Sequence, residues 1–188
     1  MIRLASYRPE YFNNNGDQGN LEVLLKQLAW RGVDAEVTQE IEQADFLLFG
    51  DASRAAMRQF SEDLEAQTPL LNKRLSENLP TLLVGSCHEF FAEKLNLCKL
   101  EKLKRSSEFR EVETEGVRAF GYRNSDVDVD LVLRGYFAST TLFGPVLAKS
   151  PELLARMLEG MGVVQQLPAE LAYIDDLVRE IRSRAISG

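Results

Sequence analysis

The 188-residue sequence predicts an α/β fold, a mostly parallel sheet with helices on both faces. Two observations carry that prediction. Apolar runs of strand length alternate with segments of helical periodicity, and parallel neighbours joined in that order need right-handed crossovers. One run, Phe46-Leu47-Leu48-Phe49, is apolar at every position, as a parallel strand covered on both faces requires. Ligand sites on such sheets lie at the carboxyl ends of the strands, so the loops that follow the strands are where a site is expected.

In chain order, Ile2 to Ser6 reads as a first strand and runs into an Asn- and Gly-rich loop from Tyr11 to Asn20. Leu21, Leu24, Leu25, Leu28 and Ala29 then fall on one helical face, and Gly32 stands where a C-terminal cap belongs. Val33 to Thr38 is a second strand, and the Phe46–Phe49 run is closed by Gly50-Asp51-Ala52-Ser53. From Arg54 to about Leu79 a helical pattern carries Ala56, Phe60, Leu64, Leu71 and Leu75, interrupted near Pro69. After Pro80 the stretch Thr81 to Phe91, TLLVGSCHEFF, reads as strand, tight turn and helix start. Beyond Leu97 the mixed charges favour a solvated hairpin or loop, and Val117 to Tyr122 and Asp130 to Phe137 look like two later strands. Ser150-Pro151-Glu152 is a helix start with Ser as N-cap. A last helix begins near Pro168 and presents Leu171, Ile174, Leu177, Val178 and Ile181 on one face. No repeat interrupts this alternation, so one domain, 1–188, is expected. Three loops share its candidate cleft: Asn13 to Asn20, Gly50 to Arg54, and Gly85 to Glu89.

A hydrophobic content of 45% with 27% charged residues excludes a disordered chain. The net charge of -7 argues against nucleic acid or an anionic membrane as partner, since neither counterion release nor surface attraction would favour binding. Cys87 and Cys98 are too few for a disulfide framework and lack zinc-site spacing, so a cytoplasmic location and no metal or cofactor are expected. MIRLASYRPEYF has no long apolar region and no run approaches roughly 18 apolar residues, so neither export nor a membrane span is expected.

Candidate chemistry gathers at the turn after Val84. Cys87 would sit at a helix start, where the dipole favours a thiolate. His88, the one histidine, is its neighbour, but adjacent side chains normally point apart. A small buried thiol beside a partly exposed histidine is the plainer reading. Asp126, Asp128 and Asp130 imitate the start of a calcium loop, but Leu131 stands where Gly is needed and Phe137 where Glu is needed, so an exposed acidic loop or edge is expected. Gly16 and Gly19 do not build a phosphate loop.

Three segments carry a resemblance. Asn14-Asn15-Gly16-Asp17-Gln18-Gly19-Asn20 resembles a Tyr-x-Asp-x-Gly-Asn opening, and Phe120-Gly121-Tyr122-Arg123-Asn124-Ser125-Asp126 is similar to Phe-Gly-Tyr-Gly-Asn-Asn. Phe143-Gly144-Pro145-Val146-Leu147-Ala148-Lys149-Ser150-Pro151-Glu152-Leu153 resembles His-Gly-Pro-Leu-Leu-x-Lys-Asn-Pro-Glu-Leu. These are motifs of the class I glutamine amidotransferases of the cobyric acid synthase type, and most of all of the glutaminase subunits of lipid II isoglutaminyl synthase. The resemblance implies a three-layer, flavodoxin-like sheet.

In that family the nucleophile opens Cys-Gly-Gly-Tyr-Gln and the base is the His of His-Gly-Pro. Here Gly85 takes the nucleophile's place, Glu89 that of the glutamine, and Phe143 that of the base, while Cys87 falls two positions late. The segment from Leu97 to Val117 is shorter than the family's, and its Gly-Gly-Gly-Ser-like turn is here Gly50-Asp51-Ala52-Ser53. With both halves of the dyad replaced, the expectation is a degenerate elbow (Gly85, Ser86, Cys87, His88, Glu89) with a degenerate base position (Phe143). Its candidate cleft is formed by Asn15, Asp17, Gly19, Asn20, Gly50, Asp51 and Ser53. Such a pseudoenzyme would act as a binding, regulatory or scaffolding subunit, beside a Mur-ligase-like or other synthetase partner, as a homo-oligomer, or by holding a small ligand in a vestigial cleft. The alternative is an amidotransferase or amide hydrolase using Cys87 as relocated nucleophile with Glu89, His88 or another chain as base.

Overall fold

The computed structural model describes residues 1–187, with side chains to 185. Its six-stranded sheet runs β2 (Ala35–Thr38), β1 (Ile2–Ser6), β3 (Phe46–Phe49), β4 (Thr81–Val84), β8 (Phe137–Thr140), β7 (Leu131–Arg134). All neighbours are parallel except β7, an antiparallel edge. Numbered among themselves, the five parallel strands follow the flavodoxin-like order 2-1-3-4-5, with a switch point between β1 and β3. A three-stranded antiparallel sheet joins β5 (Lys102–Thr114), β6 (Val117–Val127) and β9 (Leu142–Phe143).

Every residue of β3 and β4 is buried, and the period of two sends alternate side chains to opposite layers. Phe46, Leu48, Leu82 and Val84 pack into one core with Leu24 and Leu28 of α1 (Gly19–Trp30) and Met157 and Leu158. Leu47, Phe49 and Leu83 pack into the other with Leu64, Leu71 and Phe91. That second layer is covered by α2 (Arg54–Gln59), α3 (Ser61–Glu65), α4 (Thr68–Ser76) and α5 (Ser86–Phe91). The first layer is completed by α6 (Val146–Lys149), α7 (Pro151–Gly160) and α8 (Tyr173–Ser187).

Four local readings are corrected. The 54–79 helical pattern is three helices broken at Phe60 and before Thr68, and Pro69 starts α4 rather than interrupting a helix. Asp130 to Phe137 is a hairpin: Arg134 pairs with Phe137 across Gly135-Tyr136, and Gly135 at φ +59 supplies the left-handed first position of a II′-type turn. Ser150 does not cap α7; its hydroxyl accepts from Phe120 N (2.9 Å), tying α7 to β6. The acidic triplet is not uniformly exposed, since Asp130 is buried and accepts from Thr141 Oγ1 (2.6 Å), Arg110 Nη1 (2.7 Å) and Arg123 Nε. Burial pushes the Asp130 carboxyl up, but Thr141, Arg123 and Arg110 outweigh it and hold it below the ordinary range.

The charged segment after Leu97 is a hairpin, with Thr114 paired to Val117 across Glu115 and Gly116, both at positive φ. It is fastened to the main sheet through Asp130 and to α8 through an Arg182–Glu111 ion pair at 2.7 Å. Glu152 at the start of α7 holds α8 in turn, through Arg179 (3.1 Å) and Arg182 (3.2 Å), and reaches Arg118 of β6 (3.0 Å). Burial pushes Glu152 up, but its own backbone N–H, Arg179 and Arg182 outweigh it and bring the carboxyl to about 2. Since the folded value is depressed, this stabilisation is present above the ordinary value of 4.5 and is lost as pH falls towards 2. Glu152→Gln should therefore destabilise the fold by about 1–3 kcal/mol at neutral pH, and the gap between variant and wild type should close as pH drops below about 4. Thermal unfolding from pH 7 down to pH 3 checks this, and a pH-independent difference would contradict it.

Candidate functional site

The three loops meet at the carboxyl edge of β1, β3 and β4, and the carboxylate of Asp51, just past β3, is their common partner. Its Oδ2 accepts from Asn14 Nδ2 (3.0 Å) and Asn15 Nδ2 (2.8 Å), and its Oδ1 accepts from the backbone N–H of Ser86 (2.9 Å). Ser86 Oγ accepts from Ala52 N (2.9 Å), so the second and third loops are joined twice. Asn14 N donates to Asp51 O (3.0 Å) and Asp51 N donates to Asp17 Oδ2 (2.8 Å). Gly50 permits this crowding, because a Cβ there would stand 2.1 Å from Phe12 O.

Between β4 and α5 the chain turns at Gly85, with φ 58 and ψ −116. That is the sharp strand-to-helix bend at which an elbow exposes its reactive side chain. A Cβ on Gly85 would lie 2.4 Å from Cε1 of Phe143 and 2.5 Å from Oδ1 of Asp51, distances that real Cβ atoms do not adopt. Phe143 is brought there by β9, where it pairs with Tyr122 of β6, and its carbonyl accepts from Lys149 Nζ (3.0 Å).

Cys87 and His88 do not line the cleft at this edge. Cys87 is fully buried in the core beneath α5, and burial, then Asp51 and Asp17, push its thiol well above the ordinary value. His88 is also fully buried, not partly exposed. Burial pushes its pKa down, leaving a neutral ring at neutral pH. Nε2 lies 3.1 Å from Val129 O and so carries the proton it donates there; Nδ1 accepts from Ser139 Oγ at 2.7 Å. Both ring nitrogens are thus committed to holding α5 against β8 and the segment before β7.

Asn15, Asp51, Ser53, Ser86, Glu89 and Phe143 line a cleft of about 270 Å³. Ser53 caps α2 by accepting from Ala56 N (3.2 Å), and Glu89 accepts from Ser125 Oγ (2.9 Å) and Lys102 Nζ (3.4 Å). Asp17, Gly19 and Asn20 lie beneath or beside the cleft and anchor the segment after Phe143. Gly19 is where Pro145 packs, since a Cβ there would be 2.9 Å from the proline Cβ, and Asn20 Oδ1 accepts from Leu147 N (2.9 Å). Asp17 is buried, its Oδ1 lacks a hydrogen-bond partner among the described residues, and burial raises its carboxyl to about 7. Lys149, above it, is pushed down by burial.

The cleft also takes in Asn14, Arg54, Arg105 and Asn124. Arg105 comes from the charged strand of the hairpin, whose composition signals only solvation, and Asn124 from the Phe120–Asp126 motif segment on the other strand; nothing local marks either as a neighbour of the elbow. Among the described residues no group of three His, Cys, Asp or Glu side chains could hold a metal ion, and no helix is long and apolar enough to cross a membrane.

No family model matches the sequence, and no curated protein does. Solved structures do match in shape. The chain superposes on a protein assigned to GMP synthase, as one of its subunits, from Thermoplasma acidophilum with a TM-score of 0.52 and 14% identity, over 97% of this chain and 98% of the other. It superposes on a glutamine amidotransferase from Thermotoga maritima with a TM-score of 0.52 and 13% identity, over 99% of this chain and 89% of the other. At such identity the likeness concerns the backbone, and together with the sheet order it establishes that this chain has the α/β fold of the class I glutamine amidotransferases.

Proposed function

We propose that this protein is a catalytically degenerate glutamine amidotransferase-like protein that works through binding, as a regulatory or scaffolding subunit. The observation that supports this most is the closed elbow. Gly85 offers no nucleophile, and the space its side chain would enter is filled by the Phe143 ring and the Asp51 carboxylate. A phenyl ring can neither take a proton nor orient a thiol. The N–H after the elbow residue, which would stabilise an oxyanion in an acyl transfer, already donates to Asp51 Oδ1. An oxyanion would have to displace a carboxylate from it.

Nothing in the geometry favours a relocated reaction at Cys87. Its thiol is buried in the core, where the thiolate is disfavoured, and both nitrogens of His88 are occupied by Ser139 and Val129. The cleft that remains, rimmed by Arg54, Glu89, Arg105 and Asn124, is where a small ligand would be held. A cytoplasmic synthetase of the Mur-ligase type is the partner that the motif resemblance suggests.

Three measurements test this reading. Incubated with glutamine, the purified protein should release ammonia no faster than a no-protein control; a measurable rate abolished by Cys87→Ala would overturn the proposal. A glutamine-analogue electrophile should modify buried Cys87 no faster than half-buried Cys98, as read by peptide mass spectrometry; preferential labelling of Cys87 would favour the enzyme reading. Gly85→Ala should cost roughly 2–4 kcal/mol in denaturant unfolding, because an L side chain at that φ is strained and meets two groups, and Phe143→Ala in the same chain should recover only part of it. A neutral Gly85→Ala variant would mean that the elbow is open.

A further inference from the structure

α8 has two unlike faces. Inward, Ile174 and Val178 border a hollow shared with Trp30, Leu147 and Leu154, and Arg182 is buried in ion pairs with Glu111 and Glu152. Outward, Tyr173, Leu177 and Ile181 stand 61%, 46% and 59% exposed. Side chains four residues apart form a continuous ridge along a helix, the ridge that packs into its own kind in the commonest helix–helix contact. The Glu152 clamp holds the inner face down, so this ridge cannot turn inward to bury itself.

We propose that α8 is a two-fold interface through which two copies of this chain pair, helices antiparallel and Leu177 on the axis. Two features favour a second copy as occupant. With Leu177 on the axis, Tyr173 of each copy comes level with Ile181 of the other, four residues either side. Ile181 borders an apolar hollow of about 220 Å³ with Phe120, Ala148 and Val178, which can receive a ring as an interface anchor. Charge along this segment is also polarised. Asp175 and Asp176 stand in its first turn, with Glu170 in the 3-10 turn just before it, and Arg184, 78% exposed and paired with Glu180 of its own helix, in its last turn, so an antiparallel copy sets acidic ends against a basic one. The contact is isologous and closes at two.

The pairing is independent of whether the elbow retains chemistry, and its test does not involve ammonia release. One helix pair and its anchors make a small interface, so dissociation constants of about 1–100 µM are expected. Sedimentation velocity of the full chain from about 1 to 300 µM should show the mass rising from 21.2 kDa towards twice that value. Leu177→Glu should abolish the rise and Tyr173→Ala should weaken it about tenfold or more, both with unchanged circular dichroism and melting, since the two residues are exposed. Arg184→Glu should weaken pairing, and Glu170→Arg in the same chain should restore it. A wild-type chain that stays at 21.2 kDa throughout would overturn the proposal and assign the ridge to a different partner. A dimer that survives both Leu177→Glu and Tyr173→Ala would overturn it as well.

Discussion

The carboxylate of Asp51 is the interaction on which the carboxyl edge of this sheet depends. A parallel sheet brings the loops after β1, β3 and β4 close together, but it does not by itself tell them how to stack. Asp51 does so by accepting from Asn14, Asn15 and Ser86 while its own N–H reaches Asp17. The arrangement is self-contained: a group that in an acyl-transfer site would await a substrate oxygen is here answered by a side chain of the same molecule.

Phe143 completes that closure from the other side, and its position has a long chain of causes. The two-residue turn at Glu115-Gly116 sets the register of β5 on β6, β6 sets β9, and β9 delivers residue 143 over Gly85. The segment that follows is pinned from below by Gly19 against Pro145 and by Asn20 on Leu147 N. The Asp-x-Gly-Asn and Gly-Pro motifs that carry the family resemblance therefore meet each other in space. Their role here is architectural, since they latch the segment bearing residue 143 onto the first turn of α1.

Much of the fold was legible because its signals are local. The continuous apolar run of β3, the Leu spacing of α1 and Gly32 after it each encode their own element. The failures share a cause as well. Gly135-Tyr136 was hidden inside an apolar stretch because a II′ turn asks only for one glycine, and Ser150 looked like a cap because its competing partner, Phe120 N, lies far off in sequence. His88 was the same kind of case: nothing near it in the chain announces Ser139 or Val129.

For the candidate site, the sequence by itself determined which residue types stand at the strand-to-helix turn and at the position where the motif resemblance would put a base, because identity at a motif position needs no coordinates. Gly85 and Phe143 follow from that alone, and so does the meeting of three loops, since strand order fixes which ends share an edge. Only the tertiary structure decided that Phe143 and Asp51 fill the space above Gly85, that Cys87 and His88 face the core, and that Arg105 and Asn124 of a charged hairpin reach the cleft. Each of those depends on which distant backbone arrives next to a side chain, and that is settled by sheet register and packing.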